Sequence, residues 1–268
     1  MTTTSAAIPS DRSRRWRRLL EILAENGRLS VEEAAEELGV SAATVRRDFT
    51  SLADQQLATR THGGIVATSI AYDLPARYRH AEGSDAKRRI SEAALERIAP
   101  ARVVGLNGGT TTTAVARLLA GRKQLAPGDD EFTIVTNALN IASEMVLRPH
   151  VRTICLGGVA RRESYELHGP FAARVLEDLR MELMILGVNA LTVEGGAQCK
   201  HLGEAGINAE MVHRADRVLV VATSEKLSQS ALARICPITD VDELITDGDA
   251  DPAAVAALRD AGVDVLVV

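Results

Sequence analysis

The chain has 268 residues, room for one large domain or two ordinary ones. Its 46% apolar and 25% charged residues are the mix of a globular protein, and no apolar run approaches the roughly 18 residues that would span a bilayer. The net charge of -5 argues against a nucleic-acid partner only until its placement is read. Residues 1–70 carry 9 basic and 9 acidic side chains, for a net of 0, while residues 71–268 carry 22 and 27. Arg12, Arg14, Arg15, Arg17 and Arg18 cluster within seven positions, a basic edge suited to a phosphate backbone. Of the 31 basic residues 27 are Arg and only 4 are Lys, which reads as a composition bias rather than a functional signal. The three cysteines are odd in number and far apart, which excludes a disulfide framework and points to a reducing cytoplasm. Residues 1–10 lack the apolar core of a secretory signal and read as a frayed start.

In chain order the first element is a helix, with Trp16, Leu19, Leu20 and Leu23 on one face, stopped by Asn26-Gly27. Ser30 opens a second helix, and Glu33 three residues on completes a capping-box pattern. Val31, Ala34, Ala35 and Leu38 form its apolar face, and Gly39 suits a left-handed exit. Ser41 caps a third helix whose inner face is Val45, Phe49 and Leu52. The short glycine-containing link between the second and third helices is a helix-turn-helix signature. At about 100° per residue, Ala43, Arg47 and Thr50 then face outward, flanked by Thr44 and Arg46. A small residue, arginines and hydroxyls are what a major-groove helix presents. The run LATRTHGGIVAT follows as a small hairpin, or wing, with Arg60 and His62 near its tip. A plain three-helix bundle with a solvated arginine pair remains open from spacing alone.

Residues 70–84 read as a linker between a first domain over 11–69 and a second over 85–268. Strand-like runs then fall at Arg102–Leu106, Phe132–Thr136, Val151–Leu156, Leu183–Val188, Val218–Ala222, Leu244–Thr246 and Val263–Val268. Helical stretches alternate with most of them, at Thr111–Ala120, Leu139–Leu147, Phe171–Leu179, Glu204–Arg214 and Ala253–Ala261. This alternation predicts an open, mostly parallel α/β sheet, whose ligands bind beyond the carboxyl ends of strands. The segment Gly195-Gly196-Ala197-Gln198 is assigned to no element.

Those strand ends hold the candidate effector site. The first strand runs into Asn107-Gly108-Gly109-Thr110-Thr111-Thr112 and a helix, the arrangement of an anion cradle or of an ordinary glycine turn with a threonine cap. Thr136-Asn137 ends the second strand, Gly157-Gly158 follows the third, and Lys226 follows the strand at Val218–Ala222. Cys199 and His201 lack a second pair that would complete a metal site, so no metal and no cofactor is expected. Cys155 reads as a buried core thiol.

The run SVEEAAEELGVSAATVRRDFTSLADQQLATRTHGGIV resembles the winged helix-turn-helix of the DeoR family of bacterial transcriptional regulators, which commonly has Leu where Phe49 stands. The pieces YR…KRRI, LNGGTTT, VTNALNIA, LGG and ATSEKL resemble that family's C-terminal effector domain, in order, so the likeness covers nearly the whole chain. The resemblance implies an isomerase-like α/β fold and a homo-oligomeric repressor with two partners, a double-stranded DNA operator and a phosphorylated sugar or related effector. It implies Ser41 to Phe49 as the recognition helix and the glycine-threonine loop as the phosphate contact. The family commonly has Asp where Asn107 and Thr223 stand, so two carboxylates are missing from the expected crevice. A sugar isomerase needs such a base, which weighs against the alternative of a phosphosugar isomerase with an appended DNA-binding domain. Glu204 is the nearest remaining acid.

Overall fold

A computed structural model describes residues 11–54, 58–67, 85–121 and 132–268, which fall into two units, 1–74 and 75–268. The expected linker over 70–84, and residues 68 and 69 of the expected first domain, lie outside the described residues.

The N-terminal unit runs α1 (Asp11–Asn26), β1 (Arg28–Ser30), α2 (Val31–Leu38), α3 (Ala42–Asp54), β2 (Ala58–Thr61) and β3 (Gly64–Ala67). One small core forms where the apolar faces of the three helices meet the strands. Leu19, Ile22 and Leu23 pack with Val31, Ala34, Val45, Phe49, Leu52, Ala58 and Ile65, while Trp16 and Leu20 are half-buried at its edge. The capping box forms: the Glu33 amide donates to Ser30 Oγ at 3.1 Å, and the Ser30 amide donates to Glu33 Oε2 at 2.9 Å. Gly39 turns the chain at φ 61°, and the Thr44 amide donates to Ser41 Oγ at 3.2 Å. Strand β1 is absent from the sequence reading, because three residues are too few to display a period of two. It pairs antiparallel with β3, Leu29 opposite Ile65, so the wing is a three-stranded sheet in the order β1-β3-β2. Gly64 makes that pairing possible, since a side chain there would collide with the Leu29 carbonyl.

Polar ties reinforce this small core. Asp48 is buried in α3 and accepts from Trp16 Nε1 at 2.9 Å and from Arg15 Nε at 2.9 Å, which joins α1 to α3. Arg12 stacks over the Trp16 ring and donates to Ser51 Oγ at 2.8 Å, and Arg18 pairs with Glu37 at 2.6 Å. Of the basic edge expected to hold phosphates, Arg15 is thus tied to buried Asp48, while Arg12 and Arg18 stay about half exposed beside their partners. The side chains of Arg14 and Arg17 lie outside the described set.

The C-terminal unit opens with α4 (Asp85–Ile98) and continues β4 (Val103–Leu106), α5 (Thr110–Ala120), β5 (Phe132–Thr136), α6 (Leu139–Met145) and β6 (Val151–Cys155). A short ladder, β7 (Val159–Ala160) with β8 (Leu167–His168), precedes α7 (Pro170–Leu176) and β9 (Leu183–Gly187). Then come β10 (Ala190–Thr192), β11 (Gly196–Cys199), α8 (Leu202–His213), β12 (Val218–Val221), β13 (Ala233–Cys236), β14 (Glu243–Thr246), α9 (Pro252–Asp260) and β15 (Asp264–Val267). Seven strands form one parallel sheet in the order β15-β14-β12-β9-β4-β5-β6. Successive residues along these strands feed opposite cores. Met184 and Leu186 join one cluster with α7, α8 and α9, while Leu183 and Ile185 join the other with α4, α5 and α6. Burial on both faces is why the strands read as near-continuous apolar runs.

Helix α4 was not among the expected elements. Its inner face, Ile90, Ala94, Leu95 and Ile98, is thinly marked among charged residues. The unassigned Gly195-Gly196 stretch turns the chain between β10 and β11, with Gly196 at φ 67°. With β13 these strands make a separate antiparallel sheet in the order β10-β11-β13. In the main sheet, the chain leaves β4 toward β5 and β6 on one side, then returns to β9 on the other. That reversal opens a crevice at the carboxyl ends of β4 and β9.

Replacing Asp48 by Ala removes the acceptor shared by the half-buried Trp16 Nε1 and Arg15 Nε and so cuts the tie between α1 and α3. The variant is expected to lose about 1–3 kcal/mol of stability in the N-terminal unit. Urea unfolding followed by fluorescence of Trp16, the sole tryptophan, measures this, and an unchanged transition would show that the Asp48 tie is dispensable.

Candidate functional site

Two surfaces carry the candidate residues, one in each unit. On α3 the side chains of Ala43, Arg46, Arg47 and Thr50 are exposed, Thr44 is half-buried and Ser41 stands exposed at the helix start. Arg47 Nε leans on the Ala43 carbonyl at 3.3 Å. Thr50 Oγ1 donates to the Arg46 carbonyl at 2.9 Å and accepts from Arg60 Nη1 at 3.2 Å. Arg60, on β2, thus reaches back onto α3 and fixes the wing against the helix. His62 stands exposed at the wing turn.

In the C-terminal unit a cavity of about 360 Å³ opens at the switch between β4 and β9. Its floor is the loop from β4 into α5. Asn107 is buried, and both ends of its amide are used: Nδ2 donates to the Gly187 carbonyl at 3.0 Å, and Oδ1 accepts from the Gly187 amide at 2.7 Å. A carboxylate has no proton to donate and would leave the carbonyl unmet. Gly109 adopts φ 152°, ψ 161°, a conformation open to glycine alone, and supplies no side chain to cap α5. The first amides of α5 therefore face the cavity with the positive end of the helix dipole.

The threonine run divides by role. Thr112 and Thr113 donate to the Gly109 carbonyl, at 3.1 and 2.6 Å, and brace the turn. Thr110 and Thr111 line the cavity, as do Asn107, Gly108, Gly109 and Lys226. Thr112, Thr136, Asn137, Gly157 and Gly158 are not on its surface. Thr136 Oγ1 donates to the Leu106 carbonyl at 2.6 Å and accepts from the Ala138 amide, tying β5 to β4. Gly157 and Gly158 follow β6, the edge strand, two places from the switch. Gly158 has φ 120°, and a Cβ there would stand 2.5 Å from the His168 carbonyl, so close packing on β8 explains it.

Several lining residues were not foreseen. Lys87 projects from α4, and Arg161 and Glu166 stand on the turn between β7 and β8. Loop residues without a motif leave no periodic signal, whereas Lys87 stands inside the KRRI piece of the resemblance. With Lys200 and Lys226, three of the chain's four lysines line this one cavity. Lys87 is half-buried, and burial lowers its pKa; Glu225 opposes the shift and Lys226 adds to it.

No carboxyl stands at Asn107 or Thr223, yet two buried carboxyls line the cavity, Glu204 and the unforeseen Glu166. Glu204 pairs with Arg161 Nη1 at 2.8 Å. Glu166 Oε2 accepts from Asn137 Nδ2 at 3.1 Å and from Asn208 Nδ2 at 3.2 Å. Asn137 thus sits behind the carboxyl, holding it. Burial pushes Glu166 up to about 8, with the neighbouring Glu204 adding to the rise, while the two amides and Arg161 pull the other way.

Cys199 also lines the cavity, its thiol against the His201 carbonyl at 3.3 Å. Among the described residues no three His, Cys, Asp or Glu side chains converge as metal ligands. Cys155 is exposed rather than buried in the core, because β6 is the sheet edge. Among the described residues no helix is long and apolar enough to cross a membrane.

Residues 15–71 match the DeoR-like helix-turn-helix domain and residues 82–248 match the DeoR C terminal sensor domain. The HTH-type transcriptional regulator GlpR of Haloferax volcanii is 33% identical over 97% of this chain and 98% of its own. The HTH-type transcriptional repressor CsqR of Escherichia coli is 30% identical over 93% of each. The glycerol-3-phosphate regulon repressor of Escherichia coli is 28% identical over 90% of this chain and 93% of its own.

The folded chain keeps on Glu166 a proton that the unfolded chain releases above its ordinary value of 4.5. That contribution to stability is full below 4.5 and is lost as pH rises toward about 8. The melting temperature of the wild type is therefore expected to fall over this window relative to Glu166→Gln. Parallel curves for the two proteins would show that Glu166 titrates normally.

Proposed function

The chain belongs to the DeoR family of helix-turn-helix transcriptional regulators, and from that premise we propose that it is a repressor released from its operator by a phosphorylated sugar or polyol. The operator is held by α3 in the major groove. Arg47 and Ala43 face base edges, and Ser41, Thr44 and Arg46 reach the flanking phosphates. The wing lies alongside with His62 at its tip. Thr50 and Arg60 stand exposed beside this face, and the bond from Arg60 Nη1 to Thr50 Oγ1 ties the wing to the helix while leaving the other guanidinium donors of Arg60 for phosphate. Paired half-sites require a symmetric homo-oligomer, acting in the cytoplasm where the DNA lies.

The observation that carries the effector half is the cavity's makeup. An uncapped helix start at Gly109 meets three of the chain's four lysines. Free amides, a dipole end and ammonium groups together bind a dianionic phosphate ester. Gly108, Gly109, Thr110 and Thr111 cradle the phosphate, with Lys87 and Lys226 as its counter-charges. Arg161, Glu204 and Asn208 supply the mixed donors and acceptors that neighbouring hydroxyls need. Thr112, Thr136, Asn137, Gly157 and Gly158 act behind this surface, as braces of the loops. The effector releases DNA only through its greater affinity for the form that binds DNA poorly. The relatives named as transcriptional regulators and repressors support this reading over an enzymatic one.

Fluorescence anisotropy on the DNA upstream of the protein's own gene, titrated with a panel of sugar and polyol phosphates, tests both halves. Release by one phosphate ester and not by its parent alcohol is expected. Indifference to every ester would overturn the effector assignment. Arg47→Ala is expected to cost about 1–3 kcal/mol of operator binding and to relax specificity at one position. Unchanged binding would remove α3 from the groove. Thr111→Val is expected to bind DNA as the wild type does and to need a higher effector concentration for release. A normal response would take the Thr111 hydroxyl out of the cradle.

A further inference from the structure

A carboxylate is a poor wall for a cavity that holds an anion, yet Glu166 forms one. Its side chain lies against the glycine loop: a Cβ on Gly108 would stand 2.7 Å from Glu166 Oε1 and collide with the chain behind it. Oε2 is anchored by the two amides of Asn137 and Asn208. Oε1 has no hydrogen-bond partner among the described residues and faces the cavity that Glu166 lines. The residue is 5% exposed, so water does little to screen a charge there. A buried, half-satisfied carboxyl is thus aimed at the seat of the anion.

We propose that Glu166 meets the effector as a neutral carboxylic acid, donating its Oε1 proton to an oxyanion seated on the Gly108–Thr111 loop, so that effector binding is coupled to proton uptake. This rests on the reading of that loop as the phosphate seat. The ligand class is an oxyanion with an acceptor oxygen turned toward Gly108, such as a phosphate monoester.

The groups around Glu166 leave it in that state. Glu204, on α8, opposes a second negative charge and is itself paired with Arg161. Arg161 favours ionisation, but its guanidinium is already engaged by Glu204 and Glu163. Cys199, on β11, is a thiol whose ionisation burial opposes. With burial the largest cause, Glu166 is pushed up to about 8, so near neutral pH the acid form prevails. An arriving anion raises it further, because like charges within contact distance disfavour each other. Above about pH 8 the site must take up a proton to bind.

The test is isothermal titration calorimetry of the full chain with sulfate, whose charge does not change over the range, and with inorganic phosphate. Wild-type affinity for sulfate is expected to be flat below about pH 7 and to fall by up to about tenfold per pH unit above about 8. Heats measured in two buffers of different ionisation enthalpy are expected to show uptake approaching one proton per anion above that pH. Glu166→Gln keeps a carbonyl for Asn137 and Asn208 and an N–H donor toward the loop, so its sulfate affinity is expected to lose the fall. A fall that persists in Glu166→Gln assigns it to Lys87 losing its charge and overturns the proposal. Wild-type binding without pH dependence or proton uptake overturns it while leaving the phosphate seat intact. Failure of both anions to bind overturns the seat and the proposal with it. Should Glu166→Gln fail to fold by circular dichroism, the proton count on the wild type decides.

Discussion

The C-terminal unit is organised around one reciprocal pairing, the side-chain amide of Asn107 with the backbone of Gly187. Strands β4 and β9 are neighbours at which the chain reverses its direction of travel across the sheet. Their connections leave on opposite sides, so nothing in the backbone ladder holds the two loops at a fixed separation. Asn107 extends the ladder by one side chain and pins them. This requires a donor and an acceptor on the same group, which an amide has and a carboxylate lacks. An aspartate here would leave the Gly187 carbonyl without this donor. The asparagine therefore belongs to the frame of the cavity, where geometry is set, rather than to a lost catalytic apparatus.

On that frame the cavity holds two groups of interacting charges. Lys87, Lys226 and Glu225 act on one another, as do Glu166, Glu204 and Arg161, and all six line the cavity at the start of α5. Of the two buried carboxyls in the cavity, Glu204 has Arg161 as its ion-pair partner, whereas Glu166 is held by the neutral amides of Asn137 and Asn208. Neutral amides stabilise a carboxylate less than a cation does, so burial wins and the proton stays. The threonine run serves the same floor in two ways. Thr112 and Thr113 hold the Gly109 turn through its carbonyl, and Thr110 and Thr111 line the cavity.

The N-terminal unit meets a different constraint. Its core is small, and short elements bury little apolar surface. Polar ties make up the difference: Asp48 gathers α1 onto α3, the Ser30–Glu33 box starts α2, and Thr50 with Arg60 fixes the wing. The arginines near the start of the chain look like a phosphate-binding edge when counted. In space Arg12, Arg15 and Arg18 each also reach a partner within the unit, and the exposed arginines of α3 are Arg46 and Arg47.

The sequence by itself determined what depends on neighbours close along the chain. Helical spacing marked Val45, Phe49 and Leu52 as inner and Ala43, Arg46 and Arg47 as outer, and a capping box was legible at Ser30. Apolar runs marked the inner strands of the sheet because burial on both faces demands them, and glycines with threonines after β4 marked the start of α5. Only tertiary structure decided what depends on groups far apart in sequence. Strand β1 is defined by its partner Gly64–Val66, and β11 by β13, so neither has a period of its own. The cavity wall joins Lys87, Gly108, Glu166 and Asn208 from four separate elements. Whether Glu166 carries a charge follows from its burial and from Asn137, Asn208 and Glu204, which pairwise spacing in a sequence does not encode. Local periodicity is written in the chain because a helix or strand repeats it. The free energy of a proton in a crevice is set by the field of distant groups, and that field exists only once the sheet has brought them together.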